Sequence, residues 1–445
     1  MRHKRSLTAY IIAMLAMLLL TACGGSSGGT SGTTTSAGGA NPGVLDPNKK
    51  YTVNFWDAFG SGANKTAVDT LTKQYMQKNP NVTVNVQAYD SYATLKTKIT
   101  AAIAAGKPPA ISQVYEEWAT QYQQSNAILS LQPFIAGKNG ISDLTDFYPT
   151  LLKDGQLNGT QYMLPFNKSL IVLYYNVDAL KAAGITPPTT IDEMMADITK
   201  ATKPDGSQWG LSYTPDVDFW SILYKGLGGT DFVSSNGKTA AFAAGANAAI
   251  AKQALGMLAP LVQSKAIHIT TANAWQNDFA SQKSLFGISS IASYPFLKKA
   301  INGAFQFSEA PVPAGSKGQF TTLFGTNLAL YAGVDADTQS AAWDYMKFLT
   351  SSETNAAFVE ATGYMPIRQS TFNSTALQSY YTKTPARKAG PASLPYGFVA
   401  STVPAWDQCR NVISNAFTSV LKGQSSADDA FAKMTASSNS ALSQG

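Results

Sequence analysis

The 445-residue sequence predicts an α/β fold in two lobes, and three observations carry that prediction. Strand-like and helix-like periods alternate from Tyr51 onward, which argues for a mainly parallel sheet in each lobe with helices on its faces. The length exceeds one ordinary core, since domains of roughly 100–200 residues would give two or three. The stretch Met163 to Asn176 reads as one long strand with unequal ends. Leu170 to Tyr175 is a continuous apolar run suited to burial on both faces, whereas Pro165, Asn167 and Ser169 suit an exposed crossing between lobes.

The chain begins with Arg2, Lys4 and Arg5, followed by an apolar run from Ala9 to Leu20. Twelve residues fall short of the ~20 needed to span a bilayer, so residues 1–22 are expected to be an export signal. Leu20-Thr21-Ala22-Cys23 resembles the lipobox of bacterial lipoproteins, which implies cleavage before Cys23 and lipidation of its thiol. Gly24 to Asn41 is almost wholly Gly, Ser, Thr and Ala, and residues 23–48 are expected to act as a tether with a reach of roughly 25 Å.

Val53 and Phe55 alternate as a strand, Val68, Leu71 and Tyr75 recur as a helix, and Val82, Val84 and Val86 form the next strand. Leu95, Ile99 and Ile103 are a second helix, and Ala110 to Val114 follows Pro108-Pro109 as a third strand. Trp56-Asp57, Tyr89 to Tyr92 and Tyr115-Glu116 then fall on loops at the carboxyl edge, where open α/β sheets bind ligands. Beyond the long strand, Asp178 to Ala183 is a short helix stopped by Gly184, and Thr190 with Glu193 is a capping box. Ala240 to Leu261 is Ala-rich and helical, Ser284 to Ser290 is a strand, and Thr321 to Ala332 is a strand with Gly325 inside it. Ser340 to Leu349, the segment around Ile413 to Leu421, and Ala427 to Leu442 are helices.

Charged residues make up 13% of the chain, so hydrogen bonding dominates its exterior. The formal charge of +6 falls to +3 once Arg2, Lys4 and Arg5 are removed, and the remaining Lys and Arg are scattered. That pattern excludes a nucleic-acid footprint. Two cysteines, one at the cleavage site, leave no internal disulfide, and Cys409 is expected to be buried.

Catalytic signatures are missing. His268 is the one histidine of the mature chain, which leaves a His-ligated metal site or a His-based triad without its parts. Asn236-Gly-Lys-Thr239 lacks the first glycine of a phosphate loop and reads as a hairpin turn. Glu116-Glu117 are adjacent and point to different sides, unlike the paired carboxylates of glycoside hydrolysis. A secreted lipoprotein hydrolase is therefore disfavoured, and neither a metal nor a cofactor is expected.

Pro165-Phe-Asn-Lys-Ser169 with Val172-Leu-Tyr-Tyr-Asn176, Pro109 to Glu116, and Ala361 to Ile367 resemble the solute-binding proteins of ABC importers, in particular their glycerol-3-phosphate-binding branch. The resemblance implies a two-lobed periplasmic-binding-protein fold of type II with three hinge crossings, near 167–171, 305–312 and 363–368. The lobes would then be 49–168 with 309–363, and 169–308 with 364–445. It further implies that Tyr92, Glu116, Ser169, Ser290, Tyr364 and Arg410 contact ligand, the arginine forking to phosphate oxygens. Thr326 stands where that branch has a second glycine after Gly325, and Lys168 adds a cation beside Ser169. Trp56 and Trp220 are candidate walls. The implied ligand is a phosphorylated polyol, either glycerol 3-phosphate or a glycerophosphodiester. A neutral sugar stacking on aromatic residues such as Trp56, Tyr115, Trp220, Tyr364 and Trp406 stands as the alternative. The implied partners are ABC permease subunits and, through Cys23, the membrane, with the protein itself a monomer.

Overall fold

The computed structural model describes residues 42–444, so the export signal, Cys23 and most of the expected tether lie outside the described residues. Two sheets organise the rest. The first runs β2-β1-β3-β13-β6, from β1 (Tyr51–Asp57), β2 (Val82–Ala88), β3 (Ile111–Val114), β6 (Met163–Pro165) and β13 (Asn327–Leu330). In β1, Tyr51, Val53, Phe55 and Asp57 are buried while Thr52 and Asn54 are exposed, the period-2 pattern that fixes its register against β2 and β3. Between β2 and β6, a small hairpin of β4 (Gln156–Leu157) and β5 (Thr160–Gln161) turns at Asn158-Gly159, both at positive φ.

The second sheet is built on β7 (Ser169–Asn176), which is buried along nearly its whole length. One edge of β7 pairs antiparallel with β10 (Ser284–Ser290), which continues through β8 (Trp209–Tyr213) to β9 (Ile267–Ile269). Its other edge takes β11 (Phe307–Pro311) along Val172–Asn176 and β12 (Thr321–Phe324) at Ser169–Leu170, with β14 (Gly397–Phe398) outside β12. Helix α1 (Gly62–Lys78) and the helix Ala336–Leu349 pack on the first sheet, with the helix Ser352–Thr362 against α1. The helix Val217–Gly226 packs on the second sheet, with the helix Trp406–Leu421 against it and Ala427–Gln444 against Trp406–Leu421, all in one apolar core.

Three expectations change. The long strand is really two, because Phe166 to Lys168 carries the chain from the first sheet to the second, and this crossing is buried rather than exposed. The second crossing is at Gly325-Thr326, not 305–312, since β11 and β12 both pair with β7 and only β13 joins the first sheet. Residues 309–324 therefore belong with the second sheet. Along the third passage, Met365 N–H donates to the Lys168 carbonyl at the junction, yet Ile367 and Arg368 still bond to Tyr148 and Phe147 of the first lobe. The chain reaches the second sheet at Arg387, which bonds to the Ile291 carbonyl and to Glu309, so the 363–368 passage extends some twenty residues further.

The Thr190–Glu193 capping box, the left-handed stop at Gly184 and the turn at Asn236 to Thr239 form as the sequence reads. The Ala-rich stretch is interrupted: Ala246–Gly256 and Ala259–Gln263 are separate helices, the first preceded by Gly245 at φ +53°. Cys409 is buried and free. Among the described residues no helix is long and apolar enough to cross a membrane.

Candidate functional site

The junction between lobes is assembled around Asn167, in the first crossing. Its amide nitrogen donates to the Tyr92 hydroxyl at 2.9 Å, and its carbonyl oxygen accepts from Gln113 at 3.0 Å and from the Thr326 hydroxyl. Tyr92 opens α2 (Tyr92–Ala104), whose N-cap Ser91 accepts from the Thr94 N–H. The Tyr364 hydroxyl lies against that of Tyr92, and the Tyr364 ring stacks on Phe358. Tyr115 meets Tyr92 edge to face at 5.2 Å. Burial raises all three phenols above their ordinary range, so at neutral pH they are hydrogen-bond donors.

Two residues past Asn167, the Ser169 hydroxyl meets that of Ser290 at 2.5 Å, and Ser290 also accepts from the Ala292 N–H. The structure thus gathers Tyr92, Ser169, Ser290, Thr326 and Tyr364 at one junction. Thr326 directs its hydroxyl to Asn167 and braces the crossing.

Glu116 does not stand free as a ligand acceptor. It starts α3 (Glu116–Gln124) and its carboxyl accepts from Lys168 at 2.9 Å and from Asn327 at 2.7 Å. Lys168 also donates to Asp154 and to the Gly325 carbonyl, so the cation expected to face ligand is consumed within a buried cluster. Burial, followed by the Asp154 charge, pushes Glu116 well above the ordinary carboxyl range. Burial also works against the charge on Asp154, but Lys168 and hydrogen bonds from Glu116 and Asn327 outweigh it and hold Asp154 low. One buried ammonium thus faces two carboxyls, of which Asp154 is held toward the carboxylate and Glu116 is pushed toward the neutral form.

Arg410, on the helix Trp406–Leu421, forks onto Asp218 at 3.3 and 3.0 Å with 31% of its side chain exposed. The neighbouring Asp407 pairs instead with Lys96 of α2, at 2.6 Å across the junction. The Arg410 charge acts on Tyr115 and on Glu117, whose carboxyl burial raises to about 7 against the pull of Arg410. Trp56 stands half-buried at the end of β1, edge to face with Tyr89. Trp220 is corrected: it is fully buried in the second lobe, stacked on Tyr224 and meeting Phe242 edge on. Its helix Val217–Gly226 is buried around almost its whole circumference, which leaves no face for a cleft wall.

The sequence places Asn167 in the crossing but assigns no site role to it or to Gln113, Asp154 or Asn327. They are buried polar residues on strands (Gln113, Asn327), at a helix end (Asp154) and in the first crossing (Asn167), and that mismatch between polarity and apolar surroundings is the one local signal they carry. His268 donates through Nδ1 to the Asp278 carboxylate at 2.7 Å and stacks on Trp209. Among the described residues no group of three or more His, Cys, Asp or Glu is placed to hold a metal.

Residues 70–389 match the family described as bacterial extracellular solute-binding protein. The chain belongs to that family. Among its relatives, the sn-glycerol-3-phosphate-binding periplasmic protein UgpB of Rhizobium meliloti is 24% identical over 417 residues, covering 88% of this chain and 93% of its own. Among solved structures, the GacH receptor of Streptomyces glaucescens, determined without ligand and with acarbose, superposes with a TM-score of 0.77 at 22% identity, over 88% of this chain and 98% of its own. UgpB of Mycobacterium tuberculosis in complex with glycerophosphocholine gives 0.75 at 20% identity, with the same coverage. As a solute-binding protein of this extracellular family, the chain works outside the cytoplasm, and its two sheets are the lobes of the periplasmic-binding-protein fold.

Proposed function

We propose that this protein is the lipid-anchored receptor of an ABC importer and that its interlobe cleft captures a glycerophosphodiester without chemically altering it. The observation that supports this reading is a guanidinium with free N–H groups together with hydroxyls at the lobe junction. Two of the five N–H groups of Arg410 are used on Asp218, leaving three for an anionic oxygen. The hydroxyls of Tyr92, Tyr364, Ser169 and Ser290 converge from both lobes on the same junction. Asp218 offsets the arginine's charge, which suits a singly charged phosphodiester better than the dianion of glycerol 3-phosphate. The relatives named for glycerol 3-phosphate and the structure with glycerophosphocholine agree with this ligand class.

The same Asp218–Arg410 pair favours a second reading, a neutral oligosaccharide whose hydroxyls bridge acid and base, in line with the acarbose complex of the GacH receptor. Calorimetry with a glycerophosphodiester, glycerol 3-phosphate and a neutral oligosaccharide separates the two. The diester is expected to bind tightest, and Arg410→Ala to weaken it by 2–5 kcal/mol, on the order seen when a buried charge loses its partner. Lys should rescue in part only, as a point charge without the fork. Tight binding of the oligosaccharide, unaffected by charge, would replace the first reading with the second.

Cys23 is the proposed anchor, with the permease of the importer as partner and the receptor working as a monomer. Cys23→Ala is expected to move the protein from the membrane to the soluble fraction on detergent partitioning while ligand affinity stays unchanged. Retention in the membrane fraction refutes the anchor.

A further inference from the structure

We infer that the cleft continues outward into a second ligand pocket, which takes a neutral polyhydroxylated group joined to the unit held at Arg410. This rests on the proposed binding role of Arg410 and specifies the ligand further. The cavity measures about 330 Å³ and is walled by both lobes: Gln123, Gln124, Gln156 and Asn158 from the first, Lys238 and Thr402 from the second. That volume is in the range of small-molecule sites. Within the lining the Thr120 hydroxyl donates across the junction to the Thr402 carbonyl at 2.9 Å.

Two helices run from the surroundings of Arg410 to this pocket. Glu117, whose carboxyl feels the Arg410 charge, lies in the first turn of the same helix that brings Gln124 to the pocket seven residues on, about 10 Å further along its axis. Ala405, also in the lining, precedes Arg410 by five residues, about 7.5 Å. A second unit bonded to the first would therefore reach it.

The lining also dictates the chemistry. It contains no carboxylate and no aromatic ring, so a quaternary ammonium has neither a counter-charge nor a π face to sit against. Amides dominate instead, each offering a donor and an acceptor side by side, which matches adjacent hydroxyls. Among the described residues the side chains of Gln123 and Gln124 have no protein hydrogen-bond partner, and Gln156 uses only its nitrogen, on Gln161 at 3.2 Å. Asn158 is held in place by the tight turn of the β4–β5 hairpin at φ +50°. The occupant is thus a glycosyl or cyclitol group: the second alcohol of a phosphodiester, or the next sugar of an oligosaccharide.

The test uses the full chain and calorimetry on two ligand series, glycerol 3-phosphate against glycerophosphoinositol and glycerophosphocholine, and a disaccharide against its trisaccharide. The Gln124→Ala/Asn158→Ala double variant alters exposed side chains, and Gln124→Trp fills the pocket. Both are expected to weaken the longer polyhydroxylated ligand of whichever series binds by tenfold or more and to leave the short ligand within twofold. Glycerophosphoinositol should exceed glycerophosphocholine in affinity. If only the oligosaccharide series binds and shows this length dependence, the second pocket stands and the phosphodiester reading fails. Equal effects on long and short ligands, no effect on either, or a preference for the choline diester would overturn the pocket.

Discussion

Lys168 illustrates how a residue's neighbours decide its role. A lysine beside Ser169 in a cleft would attract an anion, but here its ammonium is buried and donates to Glu116, Asp154 and the Gly325 carbonyl, tying α3, the helix Pro149–Asp154 and both strand crossings together. Replacing it by Met would strand Asp154 as an unpaired buried charge, and removing one partner of such a pair costs about 3–5 kcal/mol. Glu116→Gln is expected to behave differently. With its carboxyl pushed toward the protonated form by burial and the nearby Asp154, the neutral amide has a similar shape and charge, and the loss should stay within about 1 kcal/mol. Urea denaturation of both variants at pH 7 checks this. Equal losses would mean that Glu116 is ionised in the folded state and that the protonation assigned to the cluster is wrong.

At the scale of elements, local patterns were legible and sheet membership was not. The period-2 strand at Tyr51, the capping box at Thr190 and the αL stop at Gly184 each depend on a few neighbouring residues, so the sequence states them directly. Thr321 to Ala332 reads as one strand because its apolar pattern is continuous, yet β12 and β13 lie in different sheets. The break is at Gly325, with φ +94°, where an added Cβ would stand 2.1 Å from the Asn167 carbonyl. What Gly325 approaches is more than 150 residues away in the chain, and no local pattern encodes that. The site follows the same division. Tyr92, Ser169, Ser290 and Tyr364 could be matched as residue types and do come together. The partners that decide which groups remain free, Asp218 for Arg410 and Asp154 for Lys168, are set by packing between distant elements. Trp220 failed as a cleft wall because aromatic composition does not say which side of a helix is buried.

For the whole molecule, the two lobes are held at the junction by few charges and many buried neutral groups, and this sets its response to pH. The ion pair that spans the lobes, Lys96 with Asp407, is partly exposed, and such pairs contribute about 0.2–1 kcal/mol. Stronger leverage comes from carboxyls that burial raises. Asp57 rises to about 6 against the Phe59 N–H, and Glu117 to about 7 against Arg410. Asp216 rises to about 7, pushed further by Asp218, and Glu309 to about 7 against Arg387. In the unfolded chain these acids titrate near their ordinary values, close to 4, so between about pH 4.5 and 7 the folded state binds more protons than the unfolded one. Stability from these groups is therefore greatest below about pH 4.5 and declines as pH rises through 6 to 7, flattening above. Acids shifted downward, such as Asp146, Asp154 and Asp335, act in the opposite direction, but only as pH falls toward and below about 4. The midpoint of thermal unfolding is accordingly expected to be higher at pH 5 than at pH 8. Glu117→Gln and Glu309→Gln should each flatten the slope, since a permanently neutral side chain removes one titration. A melting temperature that rises from pH 5 to pH 8 would show that these carboxyls are ionised in the fold, and with Glu117 charged beside Arg410 the cleft would repel the anionic ligand proposed for it.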